Sequence, residues 1–322
     1  MEGYNRRRKR TSTVKLVFLT ILEVLVLLTL ALIISWNKGV GTQIMQFIES
    51  FDRPVVKELD VSGVNSLHVV LMDAKNGNIL GEYQGDEAMY PASLTKMMTA
   101  IVALEELENL EQEITLDASV FEGLYEEGAT QAGFQAGETV KAIDLVYGVM
   151  LPSGAECCRG LANAISGSEE SFVKLMNKKA EKIGMKKTNF CDCTGLHNPD
   201  HYSTVRDMAV LLRYALHNST FREIIESARH STGGTNIHPD GITYYSTLFK
   251  NLSDPSVTGG RIMGGKTGYT GEAGHCLASF AEIKGREYIL VTAGASEKRG
   301  PTIHIQDAQI IYNRLGTAAM EE

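Results

Sequence analysis

Proline is scarce in this sequence, and its basic residues do not offset its acidic ones. Only 7 of the 322 residues are proline, and this composition excludes collagen, low-complexity and wholly disordered chains. The formal net charge is −8, and a basic cluster lies within the first fifteen positions, so the remainder is more acidic still. Because phosphate binding needs a basic surface, nucleic acid is not expected as a partner.

One long hydrophobic run lies near the amino terminus. Leu16–Ser35 contains a single charged residue, Glu23, and a helix of this length spans about 30 Å, the thickness of a bilayer core. A cleaved signal peptide is the alternative, but its apolar region would be shorter and small residues would follow it. Trp36 follows instead. We therefore expect an uncleaved transmembrane anchor at residues 16–36.

The sequence predicts four parts along the chain. A basic tail at residues 1–15 is expected to stay in the cytoplasm of a bacterial cell, because positive charge flanks the cytoplasmic end of a membrane helix. After the anchor, an extracytoplasmic tether at residues 37–65 leads to a single domain at residues 66–322.

The domain has the pattern of an α+β fold. Short strands are predicted at Ser66–Asp73 and Asn78–Tyr83, with the hairpin signal Asn76-Gly77 between them. Apolar spacing predicts the remaining elements: helices at Pro91–Leu107, Val140–Met150, Glu156–Ile165, Glu169–Ile183, Thr204–His217 and Ile303–Leu315, and strands at His275–Ile283 and Glu287–Gly294. This order predicts an antiparallel sheet flanked by helices, with an inserted all-helical subdomain.

Ser93 and Lys96 form a Ser-x-x-Lys motif at a predicted helix start. Positions i and i+3 share a helix face, so the amine can lie beside the hydroxyl. A buried, partly deprotonated lysine can take the serine proton, and the helix amino terminus favours the developing negative charge. The spacing alone is weak evidence, because other matches begin at Ser12, Ser35 and Ser171.

Two further motifs suggest a cleft. The chain's only Lys-Thr-Gly begins at Lys266, before a strand-like run; a cation and a hydroxyl on a sheet edge can hold a carboxylate while the edge pairs with a peptide. Ser153, in a Ser-Gly-Ala segment between two predicted helices, can offer its hydroxyl to the same cleft. A surface turn and a helix N-cap are the alternatives for these two motifs.

Together and in this order, the three motifs resemble the active-site set of penicillin-binding proteins and serine β-lactamases. Over roughly residues 60–315, the chain looks like the low-molecular-mass D-alanyl-D-alanine carboxypeptidases. The resemblance implies a β-lactamase/transpeptidase-like fold and an enzyme that needs no cofactor. Its partners would be a peptidoglycan stem pentapeptide, which loses its terminal D-Ala, and β-lactams as inhibitors.

The resemblance also implies roles for the matched residues. Ser93 would attack the penultimate D-Ala carbonyl and form an acyl-enzyme, Lys96 would be the general base, and Ser153 would relay a proton toward the leaving D-Ala.

The Lys-Thr-Gly segment would bind the substrate. Lys266 and Thr267 would hold the terminal carboxylate, next to Gly268, and the backbone N–H groups of Ser93 and Tyr269 would form the oxyanion hole.

The chain departs from the family at Ala155, where Asn is usual and helps to hold the substrate and the lysine. An alanine side chain offers no hydrogen bond, and losing one to a charged group costs about 1.5–3 kcal/mol, or a ten- to hundredfold loss in rate. Glu156 follows, but helix geometry is expected to point it elsewhere.

Two other functions remain open. A serine β-lactamase of class A needs a glutamate for deacylation, and the Glu-x-x-x-Asn spacing that carries it does not occur between Ser153 and Lys266. A catalytically impaired penicillin-binding or cell-wall-binding protein is the second alternative.

The cysteines and histidines raise two structural alternatives. Cys191, Cys193, His197 and His201 suggest a metal site, but Cys-x-Cys is tighter than usual zinc spacing and the segment matches a family stretch that needs no metal, so none is expected. The five cysteines are an odd number. A disulfide from Cys157 or Cys158 to Cys191 or Cys193 stays open, and buried free thiols are the alternative.

Overall fold

The computed structural model describes residues 60–320, and every structural statement below concerns that part of the chain. Its ten strands are β1 His68–Asp73, β2 Ile79–Tyr83, β3 Glu113–Thr115, β4 Thr139–Lys141, β5 Arg229–Ser231, β6 Thr243–Tyr245, β7 Ser256–Val257, β8 Gly260–Thr270, β9 Gly274–Ile283 and β10 Arg286–Ala295. Its eight α-helices are α1 Lys96–Glu106, α2 Ala142–Met150, α3 Ala155–Ser166, α4 Glu169–Ile183, α5 Val205–Ala215, α6 Ser219–Glu226, α7 Thr247–Asn251 and α8 Ile303–Ala318.

One antiparallel sheet organises these elements, with strands in the order β2-β1-β10-β9-β8-β7. β1 pairs with β10 from the other end of the described chain, and Leu71 lies opposite Leu290 with both fully buried. Helix α8 packs on β9 and β10, where Tyr312 and Leu315 fill one core cluster. The predicted antiparallel sheet flanked by helices is confirmed.

The region between β2 and β7 is mainly helical, but it is not all-helical as predicted. β3 pairs with β4 and β5 pairs with β6 as two small sheets. In the first, Val140 lies opposite the buried Ile114, so the predicted helix at 140–150 begins only at Ala142. Helix α6 was not predicted at all.

The first strand starts later than predicted because Asp307 on α8 binds the residues before it. The Asp307 carboxylate accepts hydrogen bonds from the backbone N–H groups of Asn65 and Ser66 and from the Ser66 hydroxyl. Val61 is also buried in the core, so the last residues of the predicted tether pack on the domain.

The predicted anchor and tail, and the tether up to residue 59, lie outside the described residues. Within residues 60–320, the structure contains no helix with the length and hydrophobicity to cross a bilayer.

Candidate active site

The Ser-x-x-Lys motif spans a short 3-10 turn, Ala92–Thr95, and the first residue of α1. The turn packs on β8 and β9. Lys96 is buried, and its Nζ atom lies 3.1 Å from Ser93 Oγ and 2.6 Å from the carbonyl oxygen of Thr194. The amine therefore lies within proton-transfer distance of the serine hydroxyl.

Ser153 enters the cleft from a strained turn between α2 and α3. Its φ angle is +69°, a left-handed conformation that is uncommon for a residue with a side chain and that clusters at functional sites. The neighbouring Gly154 is packed tightly, because an added Cβ would lie 3.0 Å from the Gly148 carbonyl oxygen. The turn directs Ser153 Oγ to Lys266, whose Nζ donates to it at 2.9 Å.

The Lys-Thr-Gly motif lies inside β8. The sequence had predicted it before a strand. Its pairing with β9 places Lys266 opposite Ala278 and Gly268 opposite Cys276, so sheet hydrogen bonds hold a glycine-rich stretch that has low strand propensity. β7 pairs only with Gly260 and Arg261. Among the described strands, none covers the outer edge of β8 from Gly264 to Thr270.

Gly268 lets β8 approach the Ser93 turn. A Cβ at this position would lie 3.0 Å from the backbone nitrogen of Ser93 and 3.2 Å from Ala92 Cβ, closer than side chains normally pack. Tyr269 follows on the open side of the strand, where its hydroxyl donates to Glu297 at 2.6 Å. The amide of Ser93 and the edge of β8 thus border the same space.

Lys266 is fully buried. Burial lowers the pKa of its amine well below the usual lysine value, and the nearby charge of Lys96 lowers it further. Nζ also donates to the Thr267 carbonyl oxygen at 2.9 Å, and the Thr267 hydroxyl lies 2.7 Å from that of Thr247 on α7.

The four motif side chains that carry chemistry therefore meet in one cleft. Ser93 and Lys96 come from the start of α1, Ser153 from the α2–α3 turn and Lys266 from β8. Ser93 is hydrogen-bonded to Lys96 and Ser153 to Lys266, and the two pairs come together because β8 packs on the Ser93 turn. The match at Ser171 is different, because Lys174 is solvent-exposed and pairs with Glu170.

Comparison with known proteins identifies a family for this chain. A family model described as D-alanyl-D-alanine carboxypeptidase of the S11 peptidases matches residues 55–297. The chain belongs to this family.

Two curated S11 relatives illustrate the similarity. The D-alanyl-D-alanine carboxypeptidase DacF of Bacillus subtilis is 31% identical over 267 residues, which cover 80% of this chain and 64% of the relative. DacC of Escherichia coli is 30% identical over 249 residues, covering 75% of this chain and 59% of the relative. The chain thus spans about three fifths of the length of these relatives.

Among solved structures, the Streptomyces K15 DD-transpeptidase matches with a TM-score of 0.71 and 27% identity, covering 79% of this chain and 98% of that chain. The described domain therefore has the fold of the penicillin-binding DD-peptidases.

Ala155 is the position at which the sequence resemblance leads us to expect an asparagine. It is buried at the start of α3, and its backbone N–H donates to the Thr130 carbonyl oxygen. Glu156 turns away, as expected: its carboxylate accepts from the N–H groups of Ala132 and Gly133 at 2.6 and 2.9 Å. Burial raises the pKa of Glu156 despite these bonds. Glu156 therefore does not replace the missing amide.

Thr194 is the functional residue that sequence reasoning missed. Its carbonyl oxygen is the acceptor that Lys96 contacts at 2.6 Å. Every residue has a carbonyl, so no side-chain signal points to this one; the only clue was that Thr194 lies in a segment matching the family.

The residues of the alternative metal site make other contacts, and the Cys158 and Cys193 side chains lie next to each other without a disulfide. His201 contacts Thr95 and Asp192, His197 packs edge-on against Tyr90, and the Cys193 thiol donates to Glu169. The described residues contain no group of three or more histidine, cysteine or acidic side chains close enough to hold a metal. All five cysteines are free thiols, and four of them are buried.

Proposed function

We propose that this chain is a serine-type D-alanyl-D-alanine carboxypeptidase, which removes the terminal D-Ala of peptidoglycan stem pentapeptides through an acyl-enzyme on Ser93. The observation that carries the proposal is the 3.1 Å contact between Ser93 Oγ and Lys96 Nζ beside the Ser153–Lys266 pair. Membership of the S11 family supports it.

In the acylation step, the Lys96 amine takes the proton of Ser93 as Oγ attacks the penultimate D-Ala carbonyl carbon. The N–H groups of Ser93 and Tyr269 donate to the resulting oxyanion, and each such donor is worth about 3 kcal/mol in other acyl-transfer enzymes. Ser153 relays the proton that Lys96 took from Ser93 to the leaving nitrogen, the C–N bond breaks, and D-Ala departs. Water then hydrolyses the ester and restores the Ser93 hydroxyl.

The substrate's terminal carboxylate binds at Lys266 and Thr267 in this proposal. A carboxylate favours the charged form of a buried lysine, because it replaces the hydration that burial removes. The uncovered edge of β8 pairs with the peptide backbone, as extended peptides do at other sheet edges.

The domain is proposed to lie outside the cytoplasmic membrane of a bacterium, where its substrate is, with residues 16–36 as a single-pass anchor. The apolar run and the basic residues before it support this placement. The chain is then expected to stay in membranes after an alkaline carbonate wash and to be digested by protease added to spheroplasts. A chain released by the wash or protected from the protease contradicts the placement.

The test of activity uses the purified chain. Release of D-Ala from a stem pentapeptide, lost in a Ser93→Ala variant, is the expected result. Rapid turnover of penicillin without D-Ala release would instead identify a β-lactamase, and a stable penicillin adduct without D-Ala release would identify a catalytically impaired penicillin-binding protein. Either outcome contradicts the proposal.

A further inference from the structure

A chain of hydrogen bonds beside the Ser93 turn runs from Lys96 to Thr95, its neighbour in the sequence. Lys96 Nζ donates to the Thr194 carbonyl oxygen, and the Thr194 N–H and hydroxyl both donate to Asp192 Oδ1, at 2.6 and 2.7 Å. Asp192 Oδ2 lies 3.0 Å from His201 Nδ1, and His201 Nε2 lies 2.9 Å from the hydroxyl of Thr95. Thr95 immediately precedes Lys96, so these five residues form a ring, which we call the Lys96 ring.

Four residues of the ring are buried, and the fifth, Asp192, is partly buried. Burial tends to raise the pKa of Asp192, but the hydrogen bonds from His201 and Thr194 outweigh it and lower the pKa to about 2. Asp192 is therefore a carboxylate at neutral pH, and the bonds it accepts are charge-assisted, which makes them stronger than neutral ones.

The loop that carries Thr194 is pressed against the catalytic turn. The Gly195 N–H is a further donor to Asp192, at 2.6 Å. A Cβ at Gly195 would lie 1.9 Å from the Ala92 carbonyl oxygen and 3.0 Å from Thr95 Oγ1. A small shift of this loop would therefore move both the acceptor of Lys96 and the turn that carries Ser93.

Lys96 depends on that acceptor. Its hydrogen-bond partners within the described residues are Ser93 Oγ and the Thr194 carbonyl oxygen. Ala155, where the family usually has an asparagine, offers it none, and Glu156 is bound elsewhere. The direction of the Lys96 amine relative to Ser93 thus depends on how firmly the Thr194 carbonyl is held.

We propose that Asp192 and His201 are positioning residues for Lys96. They fix the Thr194 carbonyl and the Thr95 side chain relative to each other. In this way they help to orient the Lys96 amine, which the side chain of Ala155 cannot do. This inference rests on the proposed function, since it concerns how fast Ser93 is acylated.

The test is stopped-flow acylation by a chromogenic cephalosporin, which separates the acylation rate constant from the dissociation constant of the non-covalent complex. Asp192→Ala is expected to lower the rate constant about ten- to hundredfold and to leave the dissociation constant nearly unchanged, because the proposed role of Asp192 is to position Lys96 and not to bind the ligand. Thr95→Val interrupts the ring without changing side-chain volume and is expected to cost about three- to tenfold. Thr95→Ser restores the hydroxyl and is expected to recover the rate.

Thr188→Val is the matched control. The Thr188 hydroxyl donates to Asp207 at 2.8 Å, in a neighbouring network that does not include Lys96. Its acylation rate is expected to stay within about twofold of the unmodified chain.

The outcomes separate this inference from the proposed function. If the unmodified chain is acylated, and folded Asp192→Ala and Thr95→Val are acylated at the same rate, the inference is overturned. The proposed function then still stands. No acylation of the unmodified chain contradicts the function itself. If thermal unfolding shows that Asp192→Ala does not fold, the pair Thr95→Val and Thr95→Ser decides: equal rates in the two overturn the inference.

Discussion

Two lysines meet in the cleft, but they are held in opposite ways. Lys96 lies at the start of a helix, between the nucleophile and a loop carbonyl that a carboxylate holds in place. Lys266 lies on a strand, fully buried, and its pKa is lowered well below the usual range by burial and by Lys96. The same side chain can thus serve proton transfer in one setting and anion binding in another, according to its neighbours.

The largest effect is expected from Lys96→Arg. Arginine keeps the positive charge but cannot lose a proton, so acylation of Ser93 should slow by about 10²–10⁴-fold, the usual contribution of a general base. Single-turnover acylation by a β-lactam measures this loss. Lys174→Arg, in the exposed Ser-x-x-Lys match, is the control and should acylate normally; a Lys96→Arg variant of near-normal rate would show that Lys96 is not the base.

Lys266→Ala is expected to have a smaller effect, concentrated in binding. Removing the cation that meets the substrate carboxylate should lower kcat/KM for the peptide about ten- to hundredfold. A peptide with an amidated C-terminus provides the second half of a double-mutant cycle. The two changes should be strongly non-additive if the lysine and the carboxylate interact, and additive losses would contradict that contact.

The third expectation concerns the pH dependence of KM. A lowered pKa means that Lys266 carries its charge only below that pKa, so peptide binding should weaken as pH rises through it, at a lower pH than an exposed lysine would titrate. Steady-state KM measured across pH tests this. Lys266→Arg stays charged and should flatten the profile, whereas an identical profile would assign the titration to another group.

The smallest effect is expected from Ala155→Asn. If the Thr194 carbonyl already holds Lys96, restoring the family's asparagine should change the acylation rate by less than about threefold. In an Asp192→Ala background, where that carbonyl is loosened, the same substitution should recover part of the lost rate. A large gain in the otherwise unmodified chain would mean that Lys96 is poorly held without the amide.

The sequence predicted which residues form the site better than it predicted the contacts that hold them. Ser93 and Lys96 were predictable as a pair because positions i and i+3 share a helix face, and most long helices followed from apolar spacing. The Thr194 acceptor was not, because a backbone carbonyl has no residue signature. The contact between Thr95 and His201 joins residues 106 positions apart, and only the folded chain creates it.

Strand β8 was misread for a related reason. The motif at Lys266 was predicted to precede a strand, and Gly264, Gly265 and Gly268 do lower the local strand propensity. Pairing with β9 overrides this preference, and the close packing of Gly268 on the Ser93 turn accounts for the glycine there. The depth to which Lys266 is buried followed from this packing and was not predictable.

Intact-mass spectrometry of the chain after penicillin treatment, with peptide mapping of the adduct, tests the central claim most directly. The account expects one penicilloyl group per chain, attached to Ser93, and no adduct in Ser93→Ala. An adduct that survives this substitution, or one that maps to another residue, would contradict it.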